Sequence, residues 1–148
     1  MVITVRDLLR LKGDAVWSVT PAIPVLDALH ELSDKDIGAL VVLEDEKLVG
    51  IFSERDVVRK IAEEDEFSLE LPVSSYMTPD VITISPTQYI EDCMTLMTEQ
   101  RIRHLPVVED DRMIGMISIG DVVKAIITSQ EFTIDQLKKY IDGGGYNQ

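Results

Sequence analysis

Apolar positions change their period along this chain in a fixed order. Val16 to Val19 is a short β-prone run closing at Thr20-Pro21, after which Val25, Leu29 and Leu32 recur at helical spacing. Next, "ALVVL" (39–43) and "LVGIF" (48–52) flank the charged stretch "EDEK", which predicts an antiparallel hairpin. Ser53 then opens a second helix running to about Glu63. The order returns: a strand at 81–84, a helix carrying Ile90, Cys93, Met94 and Met97, a hairpin of "LPVV" and "MIGMI", and a helix from Gly120. Pro106 has no N–H for a ladder, so its strand begins there or lies at an edge.

The two passes are one unit written twice. Gly50 and Gly115 lie 65 positions apart, and that offset aligns 19–61 with 84–126 without a gap. "VTP" (19–21) answers "ISP" (84–86), and "ALVVLED" (39–45) answers "HLPVVED" (104–110). Gly50, Ser53, Asp56, Val57 and Val58 answer Gly115, Ser118, Asp121, Val122 and Val123. Two copies are too few for a solenoid, so they are expected to pack on each other about a pseudo-twofold axis. The predicted class is α+β: two tandem β-α-β-β-α repeats with short N- and C-terminal helices. "VRDLLRLKG" forms the first of these. "FTIDQLKKYIDGGG" forms the second, with Ile134, Leu137 and Ile141 on one face, a stripe whose ordinary role is core packing and whose other role is a subunit contact. The chain divides into 1–62 (first repeat with its N-terminal helix), 63–76 (linker), 77–128 (second repeat) and 129–148 (C-terminal amphipathic helix and tail).

Composition narrows the setting. A chain of 148 residues with 45% hydrophobic and 28% charged residues has a core of its own. The single Cys93 cannot form an intramolecular disulfide, and a reducing cytoplasm fits. No apolar run approaches the roughly 20 residues that span a bilayer, and the charged start "MVITVRDLLRLKGD" does not read as a signal peptide; neither export nor a membrane span is expected. The net charge of -13 argues against nucleic acid, which is held by a surplus of Lys and Arg. Acids cluster at 44–46, 63–66 and 109–111, in stretches expected to be exposed. An anionic small ligand would therefore depend on a few local cations, which makes each placed Arg or His informative.

The duplicated turn carries the candidate chemistry. Ser53 with Asp56 three residues on reads first as a helix N-cap and capping box. Arg55, however, stands in the first helical turn, where the macrodipole disfavours a cation unless an anion is close. That anion is Glu54, Asp56 or a bound phosphate, since helix N-termini are ready anion sites. Arg103 and His104 precede the second hairpin, and Gly50 and Gly115 offer places where a flat ligand could approach the backbone. An apolar slot, a carboxylate for hydroxyls, and a hydroxyl with cations for phosphate are the groups a nucleotide needs. No catalytic residue is assigned: neither His30 nor His104 has a nucleophile partner placed by sequence, Cys93 sits at a core-like helical position, and no spacing resembles a metal site.

With its closing "G-h-h-S-x-x-D" (h apolar), its "TP" and "SP" openings and its "LVV/PVV" hairpins, the repeat resembles the CBS domain, and the two copies resemble a CBS pair over about 13–127. The resemblance implies two clefts that bind adenosine-containing ligands: AMP, ADP, ATP, NAD or S-adenosylmethionine. It implies that Asp56 and Asp121 hold ribose hydroxyls, and that Ser53 and Ser118 meet phosphate. Each cleft would take the segment leading into the other copy, so that Thr78 joins Ser53, Arg55 and Asp56, and the stretch from Gly13 to Val16 joins Arg103, His104, Ser118 and Asp121. Ala39 and Leu40, and Leu105 and Pro106, would line the adenine slots. The cations favour AMP, ADP, ATP or NAD over S-adenosylmethionine, and their uneven placement predicts one dominant site or two unequal ones. The resemblance also implies a non-catalytic regulatory homodimer that reports occupancy to a separate protein. The alternative is a ligand-free dimerisation or docking module. Trp17, the only tryptophan, is expected to pack in the core.

Overall fold

The computed structural model describes residues 3–64 and 67–144. Helix α1 (Val5–Lys12) leads into β1 (Ser18–Val19), α2 (Val25–Lys35), β2 (Leu40–Glu44), β3 (Lys47–Phe52) and α3 (Glu54–Glu64). After a 3-10 turn (Val73–Ser75) come α4 (Ile90–Gln100), β4 (His104–Glu109), β5 (Arg112–Ser118) and α5 (Ile119–Lys139), which a π-helical turn (Tyr140–Gly144) continues. The C-terminal helix is thus continuous with the last helix of the second repeat. Residues 65–66, within the expected linker, and 145–148, at the expected tail, lie outside the described residues.

Both predicted hairpins form, with matching irregularities. β2 and β3 are antiparallel, with Leu40 opposite Phe52 and Val42 opposite Gly50 before the register shifts; β4 and β5 pair the same way, with Val107 opposite Gly115. The charged turns are tighter than the sequence suggests. Glu44 and Lys47 pair across the strands, leaving Asp45 and Glu46 as the loop with φ of 52° and 66°, and Asp110 and Asp111 repeat this at 52° and 63°. Two successive residues at positive φ match the right-handed twist of the flanking strands.

The leading strands fall short of expectation, and Pro106 explains the second. In the first copy only Ser18–Val19 is strand, parallel to Val41–Val42, with the Val41 N–H donating to the Trp17 carbonyl at 3.2 Å. Pro106 occupies the position of Val41 and has no N–H to give. There the expected strand at 81–84 is reduced to a single bridge, Ile84 to Val107. β4 begins at His104 and lies in a two-stranded sheet, so Pro106 sits inside an edge strand.

Each repeat has its own core, and the segment preceding each repeat packs into the other. Val5, Leu8 and Leu9 of α1 are buried with Ile90, Cys93, Met97, Leu105 and Ile117 of the second repeat. Val73 and Tyr76 are buried with Val25, Leu32, Leu40 and Phe52 of the first. Backbone bonds tie both crossings: Val5 N–H to Gln88 carbonyl (2.8 Å), and Val73 N–H to Ile23 carbonyl (2.8 Å). Two expectations of core packing are corrected. Trp17 is 45% exposed, with the Lys35 ammonium 4.7 Å from its ring centroid, a cation–π contact at the surface. Ile134, Leu137 and Ile141 are all at least half exposed and belong to neither core.

Candidate functional site

The crossed packing brings the two duplicated turns to two clefts that share a wall. The first, about 340 Å³, is lined by Ala39, Ser53, Glu54, Arg55, Asp56, Arg59 and Thr78 from one side and by Arg101, Arg103 and His104 from the other. The second, about 330 Å³, is lined by Lys12, Ala15, Trp17, Asp36, Gly38, Ala39, His104, Met116, Ser118 and Asp121. Both volumes fall in the range of small-molecule sites. Gly38 lines that shared wall hard against His104: an added Cβ would lie 2.9 Å from His104 Nε2, so the imidazole would have to shift.

Asp56 is the most constrained group in the first cleft. It is 5% exposed at the start of α3, and its carboxylate is satisfied from several directions. Oδ2 accepts from the Ser53 backbone N–H at 2.8 Å and Ser53 Oγ at 3.5 Å; Oδ1 accepts from Thr78 Oγ1 at 2.9 Å and Arg59 at 3.3 Å. Thr78 is held in place by backbone bonds in both directions with Ile51. The carboxylate therefore joins the start of α3 to the segment leading into the second repeat. Arg59, 57% exposed, is its outermost partner.

Asp121 is held differently. Ser118 and Asp121 form a complete capping box, with the Asp121 N–H donating to Ser118 Oγ at 3.2 Å and the Ser118 N–H to Asp121 Oδ2 at 2.8 Å. In the first copy the Asp56 N–H goes to the Ser53 carbonyl instead, at 3.0 Å. Gly13 stands where the first cleft has Thr78 and offers no hydroxyl. Lys12 takes up that role: its Nζ donates to Asp121 Oδ2 and to the Met116 carbonyl, both at 2.7 Å. These bonds, with the Ser118 N–H, outweigh burial and hold the Asp121 carboxyl below its usual range. Burial depresses His104 below the usual imidazole range, overriding the opposing pull of the nearby Asp121 carboxylate.

The cations are divided unevenly. Four of the seven arginines, Arg55, Arg59, Arg101 and Arg103, line the Asp56 cleft. Among the described residues, Arg55, Arg101 and Arg103 make no ion pair. Arg101 caps α4 in the left-handed region (φ 55°), where a cation suits the negative end of the helix dipole. For Arg55 at the start of α3 the dipole has the opposite sign.

Several site expectations change in three dimensions. Arg103, assigned to the Asp121 cleft, lines the Asp56 cleft, and His104 borders both, because the loop before β4 crosses the shared wall. Ala39 lines both clefts. Leu40 and Leu105 are fully buried in the two cores, Pro106 is buried, and neither these three nor Val16 is among the residues lining the clefts. Gly50 and Gly115 do not open onto a ligand: an added Cβ would meet Met77 Sδ at 2.4 Å and Leu9 Cδ2 at 2.7 Å. Sequence reasoning passed over Lys12, Arg59 and Arg101. For Arg59 the signal was its place one turn after Asp56; Lys12 and Arg101 reach the clefts only through tertiary packing.

Cys93 is buried in the second core, and burial pushes its thiol up to about 11, followed by smaller contributions from Asp92 and Glu91. That suits packing and is the opposite of an activated nucleophile. Among the described residues no group of three or more His, Cys, Asp or Glu could hold a metal ion, and no helix is long and apolar enough to cross a membrane.

The family model of the CBS domain matches this chain twice, over 5–63 and 73–128. The mitochondrial CBS domain-containing protein CBSX3 of Arabidopsis thaliana is 38% identical over 151 residues, covering 95% of this chain and 73% of that protein. The crystal structure of a CBS-domain containing protein from Agrobacterium tumefaciens superposes with a TM-score of 0.78 at 41% identity, covering 82% of this chain and 92% of that one. CBSX2, solved in complex with AMP, superposes with a TM-score of 0.71 at 29% identity over 84% of this chain and 97% of that one.

Proposed function

The chain belongs to the CBS-domain family, and from that premise we propose that it is a non-catalytic regulatory module that binds an adenosine-containing nucleotide and passes its occupancy to a separate protein. The observation that carries this reading is the buried Asp56 carboxylate, in a cleft that also holds Arg55, Arg101 and Arg103, three guanidinium groups that make no ion pair among the described residues. Like charges gathered in one cleft repel one another, and an anion bound among them relieves that repulsion. Asp56 supplies the acceptor a ribose hydroxyl requires, and guanidinium forks match phosphate oxygens in pairs. Arg59 is the partner that a ribose would replace on the carboxylate, because it is long, exposed and held by one 3.3 Å bond. AMP, ADP, ATP and NAD all fit this description; S-adenosylmethionine has no phosphate, and its sulfonium centre gains nothing from the arginines. That CBSX2 was crystallised with AMP supports the choice of class.

Self-association is part of the proposal. α3 and α5 expose Val58 (66%), Ile61 (44%), Val123 (39%) and Ile127 (49%) at positions the duplication makes equivalent or adjacent, and such faces are buried when two copies meet. A reducing compartment, either the cytoplasm or the mitochondrial interior that its Arabidopsis relative's name denotes, belongs to the same proposal, and the single buried thiol of Cys93 is compatible with it.

The test is calorimetric titration of the purified protein with AMP, ADP, ATP, NAD and S-adenosylmethionine, repeated on Asp56→Ala with its fold checked by circular dichroism. Saturable binding of a phosphate-bearing ligand is expected, weakened at least about tenfold by the substitution, the scale of a hydrogen bond to a charged group. A folded, ligand-free protein that binds none of the five would overturn the nucleotide reading and leave the docking module.

A further inference from the structure

The two clefts differ in charge far more than two copies of one sequence unit need to. The Asp56 cleft sets four guanidinium groups, Arg55, Arg59, Arg101 and Arg103, against two carboxylates, Glu54 and Asp56. The Asp121 cleft sets one ammonium, Lys12, against two carboxylates, Asp36 and Asp121; His104 lines both clefts and does not distinguish them. Lys12 is also largely committed: two of its three N–H donors go to Asp121 and to the Met116 carbonyl, leaving one. We propose that the clefts sort ligands by phosphate content, the Asp56 cleft taking the phosphate chain of a nucleoside di- or triphosphate and the Asp121 cleft a nucleoside carrying at most one phosphate, which Lys12 meets with its remaining donor.

The inference rests on the nucleotide reading and adds to it which ligand goes where. A second or third phosphate in the Asp121 cleft would bring further negative charge beside Asp36 and Asp121 with no cation left to receive it. In the Asp56 cleft the same phosphates would meet Arg101 and Arg103 across from Arg55, so each one adds a favourable contact. Lys12 has no counterpart in the first cleft, since the equivalent position is Met77, whose side chain packs over Gly50. Lys12 is thus the specificity-determining residue of the Asp121 cleft.

Trp17 makes the two sites separable, because the only tryptophan lines the Asp121 cleft and not the other. Adenosine, AMP, ADP and ATP are titrated by calorimetry and, in parallel, by Trp17 fluorescence. Variants are Lys12→Met, Lys12→Arg and the double substitution Arg101→Gln, Arg103→Gln, all at surface side chains. The calorimetric site lost in the double variant is expected to tighten from AMP to ATP, by at least tenfold in total. The Trp17-reported site is expected to prefer AMP to ATP. Lys12→Met should lower its AMP affinity about fivefold towards that for adenosine, the factor given by one partly exposed charge contact, and Lys12→Arg should restore the preference. The same ligand order at both sites, an unchanged AMP-to-adenosine ratio in Lys12→Met, or binding at the Asp56 cleft alone would overturn the sorting while leaving the nucleotide reading intact. Absence of any binding would overturn both.

Discussion

At the residue scale the two Ser-x-x-Asp turns look alike and work differently. Ser118 satisfies an orphan N–H of α5 with its hydroxyl, whereas Ser53 Oγ contacts only the Asp56 carboxylate at 3.5 Å while the helix N–H goes to a carbonyl. Ser118→Ala is therefore expected to cost about 1 kcal/mol of stability and Ser53→Ala less than about 0.5 kcal/mol, read from urea midpoints. Equal losses would mean that Ser53 also caps its helix in solution. For ligand binding the expected order is reversed, because Ser53 lines the more cationic cleft. Both serines and both aspartates were legible in the sequence as capping residues, since that logic is local. Which pair caps fully was not, because it depends on what else reaches the carboxylate: Thr78 and Arg59 in one copy, Lys12 in the other.

At the scale of elements, α1 is the instructive case. Its capping box of Thr4 and Asp7 and its apolar spacing make it a helix on local grounds. Nothing local says that it packs against the second repeat, where Leu9 fills the space over Gly115. Gly115→Ala is expected to destabilise by about 1–3 kcal/mol through overpacking. Adding Leu9→Ala should recover part of that loss, so the double variant would be more stable than the sum of the two single changes predicts. Additive losses in chemical denaturation would show that α1 and β5 are not in contact. The leading strand of the second copy illustrates the opposite limit. There Pro106, visible in the sequence, removed the one donor on which extending the pairing depended.

At the scale of the molecule, what the fold leaves uncovered decides its assembly. Val58 and Ile61 of α3 and Val123 and Ile127 of α5 stay exposed while their neighbours Val57 and Val122 are buried, so sedimentation is expected to give about twice the 16.6 kDa chain mass. Val58→Glu with Val123→Glu, both at exposed positions, should yield a folded species of single-chain mass. A wild-type protein that sediments as one chain at micromolar concentration would rule out pairing through these helices.

Much of this architecture follows from the sequence alone. Periodicity, turn chemistry and a gapless internal repeat are short-range or self-referential signals, so the α+β class, the two hairpins, the duplicated helices and the carboxylate of each turn could be read directly. The crossed packing of α1 and of the segment before the second repeat could not, because it joins residues such as Val5 and Gln88 that local pattern does not relate. That crossing delivers Lys12 to Asp121, while the loop before β4 carries Arg101 and Arg103 to the cleft of Asp56. The charge of each cleft is a sum over residues distant in sequence, and only the tertiary structure performs that sum.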